Sequence, residues 1–410
     1  MRTGIESINF YGGPASISAR SIFEGRGLDL SRFDNLMMDR KSVGVACEDA
    51  VTNGVNAAKP IIDALSDEEK NRIELVITAS ESGVDFGKSL STYIHDYLGL
   101  GRNCRLFELK QACYGGTAGL HMAACFVASN VSPGAKALVI ATDVARAAAK
   151  STYGEPSQAV GAIAMLISDK PDILELDFGA TGQYSYEVMD TCRPLPEIET
   201  GNPDLSLLSY LDCLENSYKN YKQKVEGVHF LETFDYLAFH TPFGGMVKGA
   251  HRKLMHDEMK LRGAAVQQDF DKRVAPALIY GMQVGNVYSA ALYLGLCSLI
   301  DHAPVDDYRR VGLFSYGSGC SSEFYSGVIG PDSAAKLGVM NIGGQLDSRY
   351  ELSFDEYEQI LDQNVEWLFG IRDKKVDFSG FSRVYEHFFK GKGYLVLTEV
   401  DDFHRKYAWS

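Results

Sequence analysis

An apolar run without a polar stripe most constrains what this chain can fold into. Gln111-Ala112-Cys113-Tyr114-Gly115-Gly116-Thr117 leads into the segment Ala118 to Ala128, in which only His121 is strongly polar. A helix that is apolar all round belongs in the middle of a large protein rather than on its surface. Gly115, Gly116, Ala118, Gly119, Ala123 and Ala124 leave room for other backbones to come close. Cys113 is then expected at the buried N-terminus of a central helix, where unpaired N–H groups and the helix dipole favour a thiolate. An inert core thiol is the competing reading of a single cysteine. What the rest of the chain places around Cys113 separates the two.

At 410 residues the chain is too long for one small core, so two domains or two fused halves are expected. The formal net charge of −14 argues against nucleic acid as a partner. Eight cysteines are scattered without a C-x-x-C pair, which reads as reduced thiols in a cytoplasmic protein, with neither a zinc site nor a disulfide framework. No apolar run reaches the roughly 18 residues needed to cross a bilayer, and the N-terminus lacks a signal core, so no membrane association is expected. No G-x-G-x-x-G follows a strand, so no nicotinamide or flavin site is expected.

The chain repeats itself. In the first half, Leu75 to Ala79 is a buried strand ending at Glu81, Cys113 precedes the apolar helix, and Lys136 to Asp143 is a second buried strand. In the second half, Phe234 to Phe239 is a strand ending at His240. Asn286 there precedes another small-residue apolar helix, Val287 to Ile300, and Arg310 to Ser315 is a strand running into Tyr316-Gly317-Ser318-Gly319. Thirty positions separate Cys113 from Asp143, and thirty separate Asn286 from Tyr316. This weak duplication predicts an α/β protein of two pseudo-repeated halves, 1–170 and 171–410. Because ligands of such sheets gather outside strand carboxyl ends, Glu81, Cys113, His240, Asn286 and Ser318 are expected to converge on one seam.

Taken together, these motifs resemble the 3-hydroxy-3-methylglutaryl-CoA synthase family of the thiolase superfamily. The resemblance rests on Glu48-Asp49-Ala50-Val51, Ser80-Glu81-Ser82, Gln111 to Thr117, Phe239-His240-Thr241-Pro242-Phe243, Gly285-Asn286 and Phe314 to Gly319. Three further runs, Arg102 to Lys110, Glu187 to Pro194 and Phe243 to Arg252, are similar to the branch of that family found in polyketide pathways. Members of that branch act on acyl-carrier-protein thioesters and install β-methyl branches.

The resemblance implies a thiolase-like, five-layer αβαβα fold, usually dimeric, and an acyltransferase that binds no cofactor or metal. Cys113 matches the nucleophile that accepts an acetyl group, Glu81 the base that removes a proton from the acetyl methyl, and His240 the residue that polarises the acceptor carbonyl. The product would be a 3-hydroxy-3-methylglutaryl-type thioester made from an acetoacetyl-type acceptor. Asn286, Ser318, Gly317 and Tyr316 match substrate-binding positions, and Ser157 and Ser206 match acceptor-pocket positions for which an ordinary loop or cap serine is an equal reading. Backbone N–H groups at Cys113 and in the Gly317-Ser318-Gly319 loop could hold the thioester oxygen as it gains charge.

Family members that use CoA carry lysines early in the helix after the histidine, and the matching positions here are Gly245 and Gly249. Donor and acceptor acyl carrier proteins are therefore the expected partners. An acidic carrier docking on an acidic chain needs local basic residues. Arg32, Lys248 and Arg252 are the candidates, with Arg40 and Lys41 nearby in sequence to Arg32. Two other enzymes fit part of the pattern: a primary-metabolism synthase using acetyl-CoA and acetoacetyl-CoA, and an initiating β-ketoacyl carrier-protein synthase. The second works by decarboxylation and has no need of a base such as Glu81. A scaffold without activity that only binds carrier proteins would have no use for Glu81, Cys113 and His240 together.

Overall fold

The computed structural model describes residues 2–145, 149–195, 198–367 and 369–410. Eleven strands carry the argument. They are β1 Gly4–Tyr11, β2 Ile73–Ala79, β3 Arg105–Leu109, β4 Lys136–Val144, β5 Val160–Ser168, β6 Leu174–Ser185, β7 Thr191–Leu195, β8 Ile198–Gly201, β9 Tyr236–Phe239, β10 Arg309–Gly317 and β11 Ser321–Ile329. Nine of them form one mixed sheet in the order β9-β10-β11-β6-β1-β5-β4-β2-β3, and β7 and β8 pair as a separate hairpin. The two halves of the large sheet join where β1 meets β6 at only two residue pairs, Gly4 with Glu175 and Ile5 with Leu174.

Strands β4 and β5 are buried along their whole length, which is why their sequences show no polar alternation. The two faces of β4 feed different cores. Ala137, Val139 and Ala141 point to a central core. Leu138 and Ile140 point to an outer one. The central core holds helices α2 (Gly115–Ala128) and α5 (Ala291–His302). The outer core on the first half is built on α1 (Ala50–Asp63). A third core, on the second half, packs α3 (Pro203–Lys224) and α4 (Gly244–Met259) against Leu237, Phe314 and Phe324. Helix, half-sheet, helix pair, half-sheet and helix therefore stack in the αβαβα order that the resemblance implies.

Gly116 lets the two central helices touch. A Cβ there would lie 3.0 Å from Ser289 O and 3.4 Å from the Tyr293 ring. Next to it, Thr117 Oγ1 bonds to Tyr293 Oη and donates to Ser315 Oγ, so three segments are tied at one point. The expectation that α2 is buried all round is corrected by the structure. Leu120, Ala123, Ala124 and Val127 face the core, whereas Met122 is 48% exposed and Cys125 is exposed. β3, which packs on α2, is one of the two edge strands of the sheet.

The end of the chain returns to the first half. Leu352, Tyr357, Ile360, Leu395, Leu397 and Tyr407 share the outer core with α1. Asp49 caps α1 by accepting from the Val51 and Thr52 amides. Its second oxygen accepts from Arg405 and Tyr407, so the start of α1 and the last strand are fixed together. A cut at residue 170 therefore divides the sequence but not the packing.

Beside Asp49, Glu48 is buried and accepts hydrogen bonds from Tyr11 Oη and the Val45 amide. Burial pushes its carboxyl up to about 7. That lies above the value of an unfolded glutamate, so the folded chain holds the extra proton, and stability falls as pH rises through about 7. Glu48→Gln should remove this loss. Near pH 8 its urea midpoint should exceed that of the parent by up to about 3 kcal/mol in stability, and below about pH 5 the two should converge.

Candidate active site

Three loops meet at the seam between the halves. The first is Ser80-Glu81-Ser82, at the carboxyl end of β2. Asp143, at the end of neighbouring β4, organises it: one oxygen, Oδ1, accepts from the Glu81 amide at 2.7 Å, Ser82 Oγ at 2.9 Å and Ser80 Oγ at 3.2 Å. Asp143 Oδ2 is buried and has no partner among the described residues. Burial, followed by the charge of Glu81, holds the Asp143 carboxyl well above the usual carboxylate range.

The second loop is Gln111-Ala112-Cys113. Ala112 has φ +44°, a left-handed conformation that costs an alanine about 1–2 kcal/mol. The turn continues through Tyr114 N to Gln111 O and Gly115 N to Ala112 O, so Cys113 sits just before α2 and not on its first turn. Its Sγ donates to Glu81 Oε1 at 3.4 Å. Burial, and after it the negative charge of Glu81, push the Cys113 thiol well above its ordinary value. This corrects the expected thiolate: the resting group is a thiol, because loss of solvation and an adjacent carboxylate outweigh the helix end. Burial also raises Glu81, with Arg193 and the Cys113 hydrogen bond pulling it partly back.

The third loop follows β10. Gly317 is pressed onto the Cys113 turn, and a Cβ there would come within 2.5 Å of both Gln111 O and Tyr114 N. This close approach requires glycine and carries half-buried Ser318 to the seam. Fully buried Asp190 holds the loop from behind, accepting from Tyr316 Oη at 2.6 Å and from the Gly319 amide at 2.9 Å. The Tyr316 hydroxyl and the Gly319 N–H are thus already bonded, which leaves the Ser318 amide as the donor of that loop.

His240 directly follows β9, which pairs with β10, the strand that leads into the Gly317 loop. Its amide donates to Phe314 O on β10, and its carbonyl accepts from Tyr210 Oη. The ring is buried, Nδ1 has no hydrogen-bond partner among the described residues, and burial lowers the imidazole to about 3. His240 is therefore neutral at physiological pH. Asn286 is held by backbone bonds to Ser157 O and from the Ala159 amide, and its Oδ1 accepts from the Tyr288 amide. Gly285 before it has φ +92° and lies so close to Ser157 O that a Cβ would come within 2.7 Å.

The remaining sequence candidates fall elsewhere. Ser157 uses its hydroxyl on Gly154 O inside a turn, although its carbonyl positions Asn286. Ser206 lies in the first turn of α3, its amide on Asn202 O. Arg32 is exposed with its guanidinium over the Tyr153 ring, and Lys248 and Arg252 are exposed on α4. Lys41 is not a surface residue: its ammonium is buried on Glu155 O and Tyr357 Oη, and burial lowers it to about 8. Sequence reasoning missed Asp143, Asp190 and Arg193 as parts of the site. The position of Asp143 after a wholly apolar strand was the available signal for the first. Asp190 and Arg193 lie in the Glu187 to Pro194 run already singled out by resemblance.

Among the described residues no group of His, Cys, Asp and Glu could hold a metal ion, and no helix is long and apolar enough to cross a membrane.

Comparison with known proteins gives a consistent result. The pattern of the hydroxymethylglutaryl-coenzyme A synthase N-terminal region matches residues 35–172, and that of the C-terminal region matches 181–267 and 255–409. The chain is 51% identical to the polyketide biosynthesis 3-hydroxy-3-methylglutaryl-ACP synthase PksG of Bacillus subtilis, over 99% of each chain. It is 34% identical to the hydroxymethylglutaryl-CoA synthase of Enterococcus faecalis, over 89% of this chain and 93% of that one. The HMG synthase of the curacin biosynthetic pathway superimposes with a TM-score of 0.97 at 55% identity over the full length of both chains, and it has also been solved with an acetyl donor-ACP. The chain belongs to the hydroxymethylglutaryl-coenzyme A synthase family.

Proposed function

We propose that this enzyme condenses a Cys113-bound acetyl group with an acetoacetyl-type thioester on an acyl carrier protein, for β-branching in polyketide biosynthesis. The observation that carries the chemistry is the direct contact of Glu81 Oε1 with Cys113 Sγ, part-buried at the seam. Cys113 attacks the donor thioester, takes the acetyl group and releases the carrier thiol. The acetyl carbon then lies beside Glu81, a carboxylate made more basic by burial, which removes a methyl proton. The resulting enolate attacks the β-carbonyl of the acceptor. Neutral His240 donates a hydrogen bond to that oxygen as it gains charge, the proton that Glu81 removed passes to the new alkoxide and restores the carboxylate, and the Asn286 amide and the Ser318 N–H are the further donors we assign to substrate. Water cleaves the Cys113 thioester last, which regenerates the thiol and leaves a free carboxylate on the carrier-bound product.

Carrier protein rather than CoA is supported by α4. A side chain at Gly245 would lie 1.9 Å from Asn35 O, so the short helix Phe33–Leu36 occupies the space where CoA-using relatives place a lysine. Arg32 sits at the start of that helix and Lys248 one turn into α4, on either side of the junction. We assign both, with Arg252, to the carrier or its phosphopantetheine phosphate. Nothing lies within 4 Å of a Cβ at Gly249. Gly249→Lys should therefore fold normally and raise kcat/KM for acetyl-CoA by about five-fold, the worth of one exposed ion pair. Gly245→Lys should disturb the Asn35 turn and weaken use of the carrier.

We further propose a homodimer formed by β3 and the open flank of α2, since an edge strand and the exposed Met122 and Cys125 offer a second copy both backbone and apolar groups. Reduced cysteines throughout suit a cytoplasmic setting. The deciding experiment is intact-mass analysis of acceptor carrier protein incubated with the enzyme and an acetyl donor. Growth of the acceptor by a carboxymethyl-containing unit supports the reading. Turnover with CoA thioesters alone would replace it with the primary-metabolism reaction.

A further inference from the structure

Arg193 occupies a position that the chemistry above does not use. It lies on β7, and its guanidinium donates through Nη1 to the Glu81 carbonyl at 3.4 Å and through Nη2 to Glu199 Oε2 at 2.6 Å and Tyr288 Oη at 3.3 Å. It also lies over the Tyr288 ring, 5.4 Å from its centre. Glu199, on β8, accepts from Gln158 Nε2 at 2.6 Å. Gln158 bridges to Asn286, whose Oδ1 holds the Tyr288 amide. The contacts close a ring, Arg193, Glu199, Gln158, Asn286, Tyr288 and back to Arg193, to which the Glu81 carbonyl is attached through Arg193. It ties the β7–β8 hairpin to the turns that carry the proposed base and the proposed substrate amide.

We propose that Arg193 is a positioning residue for carbon–carbon bond formation, its guanidinium fixing the Glu81 turn and placing a fixed positive charge beside the base. The inference rests on the reading of Glu81 as the base. The groups facing that carboxyl are the Cys113 thiol from the turn before α2, Asp143 from β4, Asp190 from the segment before β7, Glu199 from β8 and Arg193 itself. Burial, and after it the nearby Glu199 and Asp190, push Glu81 up, and the Arg193 guanidinium does most to bring it down. A base that rested protonated could not accept a proton, so the guanidinium keeps the carboxylate available. A lysine keeps the charge, but its compact ammonium cannot span the Glu81 carbonyl and Glu199 as a planar fork does.

The test uses enzyme already acetylated on Cys113, so that the thiol is outside the measurement, and follows single-turnover condensation against pH. With Arg193→Met the alkaline-rising limb should move up by about one pH unit. With Glu199→Gln it should move down, because a neighbouring anion is lost and the guanidinium is freed. Arg193→Lys should keep the parent midpoint and lose rate by about ten-fold. A midpoint unchanged in Arg193→Met, or displaced in the same direction in Arg193→Met and Glu199→Gln, overturns the proposal. If Arg193→Met does not fold, the downward shift in Glu199→Gln and the retained midpoint in Arg193→Lys decide it, and failure of either overturns it. Glu81→Gln run in the same assay separates the two ideas. Normal condensation by that variant removes Glu81 as the base. An inactive Glu81→Gln beside unshifted Arg193 and Glu199 variants removes only the role given to Arg193.

Discussion

Cys113→Ala yields a folded protein that takes up no acetyl group and forms no condensed product, a loss of at least about 10^4-fold in turnover. Folding should survive because the side chain is small and half-buried, and because the turn that presents it is held by backbone bonds from Tyr114 and Gly115. The strained φ of Ala112 is likewise independent of the sulfur. What disappears is the only sulfur in contact with Glu81 among the described residues. Two further thiols, Cys213 and Cys320, are buried against each other, 3.5 Å apart, and do not substitute. Cys113→Ser sharpens the test. A hydroxyl keeps the bond to Glu81 but is a far weaker nucleophile, so it too should remain unloaded. Intact-mass analysis after incubation with an acetylated carrier reads the result directly. An alanine variant that still gained one acetyl group would take Cys113 out of the reaction.

Much of this arrangement was legible in the sequence, for a physical reason. Strands buried on both faces must be continuous apolar runs, so Leu75 to Ala79 and Lys136 to Asp143 announce their own ends, and polar residues placed there are exposed to the seam. The glycines at 285 and 317 mark places where one loop touches another, and the structure puts Ser157 O against the first and Gln111 O against the second. Charge states were less accessible. The thiolate expected at Cys113 assumed a helix beginning at that residue, whereas the helix begins at Gly115 and the thiol faces a carboxylate directly. Which face of α2 is open could not be read either, because Met122 and Cys125 are as apolar as Leu120 and Val127. The same holds for the last sixty residues. Their return to α1 depends on the pairing of Asp49 with Arg405 and Tyr407, a contact across more than 350 positions that no local pattern encodes.

Glu81→Gln should separate the two halves of the reaction. The carboxylate raises the Cys113 thiol through its charge and by accepting the thiol proton. A neutral amide removes both effects, so the sulfur becomes easier to ionise and acetyl transfer to Cys113 should proceed at least as fast as in the parent. The next step has no such compensation. Removal of a proton from a methyl group next to a thioester needs a base within reach, and an amide oxygen is not one. Asp143 cannot replace it: three donors converge on its Oδ1, one of them the Glu81 amide itself, so it is held behind the Glu81 turn. Condensation should therefore fall by about 10^4-fold while the acetyl-enzyme accumulates. The amide is close in size to the carboxyl, and the Asp143 bonds reach the Glu81 backbone rather than its side chain, so the turn itself should be undisturbed. The measurement is a single-turnover experiment in which mass spectrometry follows Cys113 loading and carrier-bound product in the same sample. Loading without product is the expected outcome. Loss of loading would mean that Glu81 acts on the sulfur, and product at the parent rate would mean that the methyl proton leaves by another route.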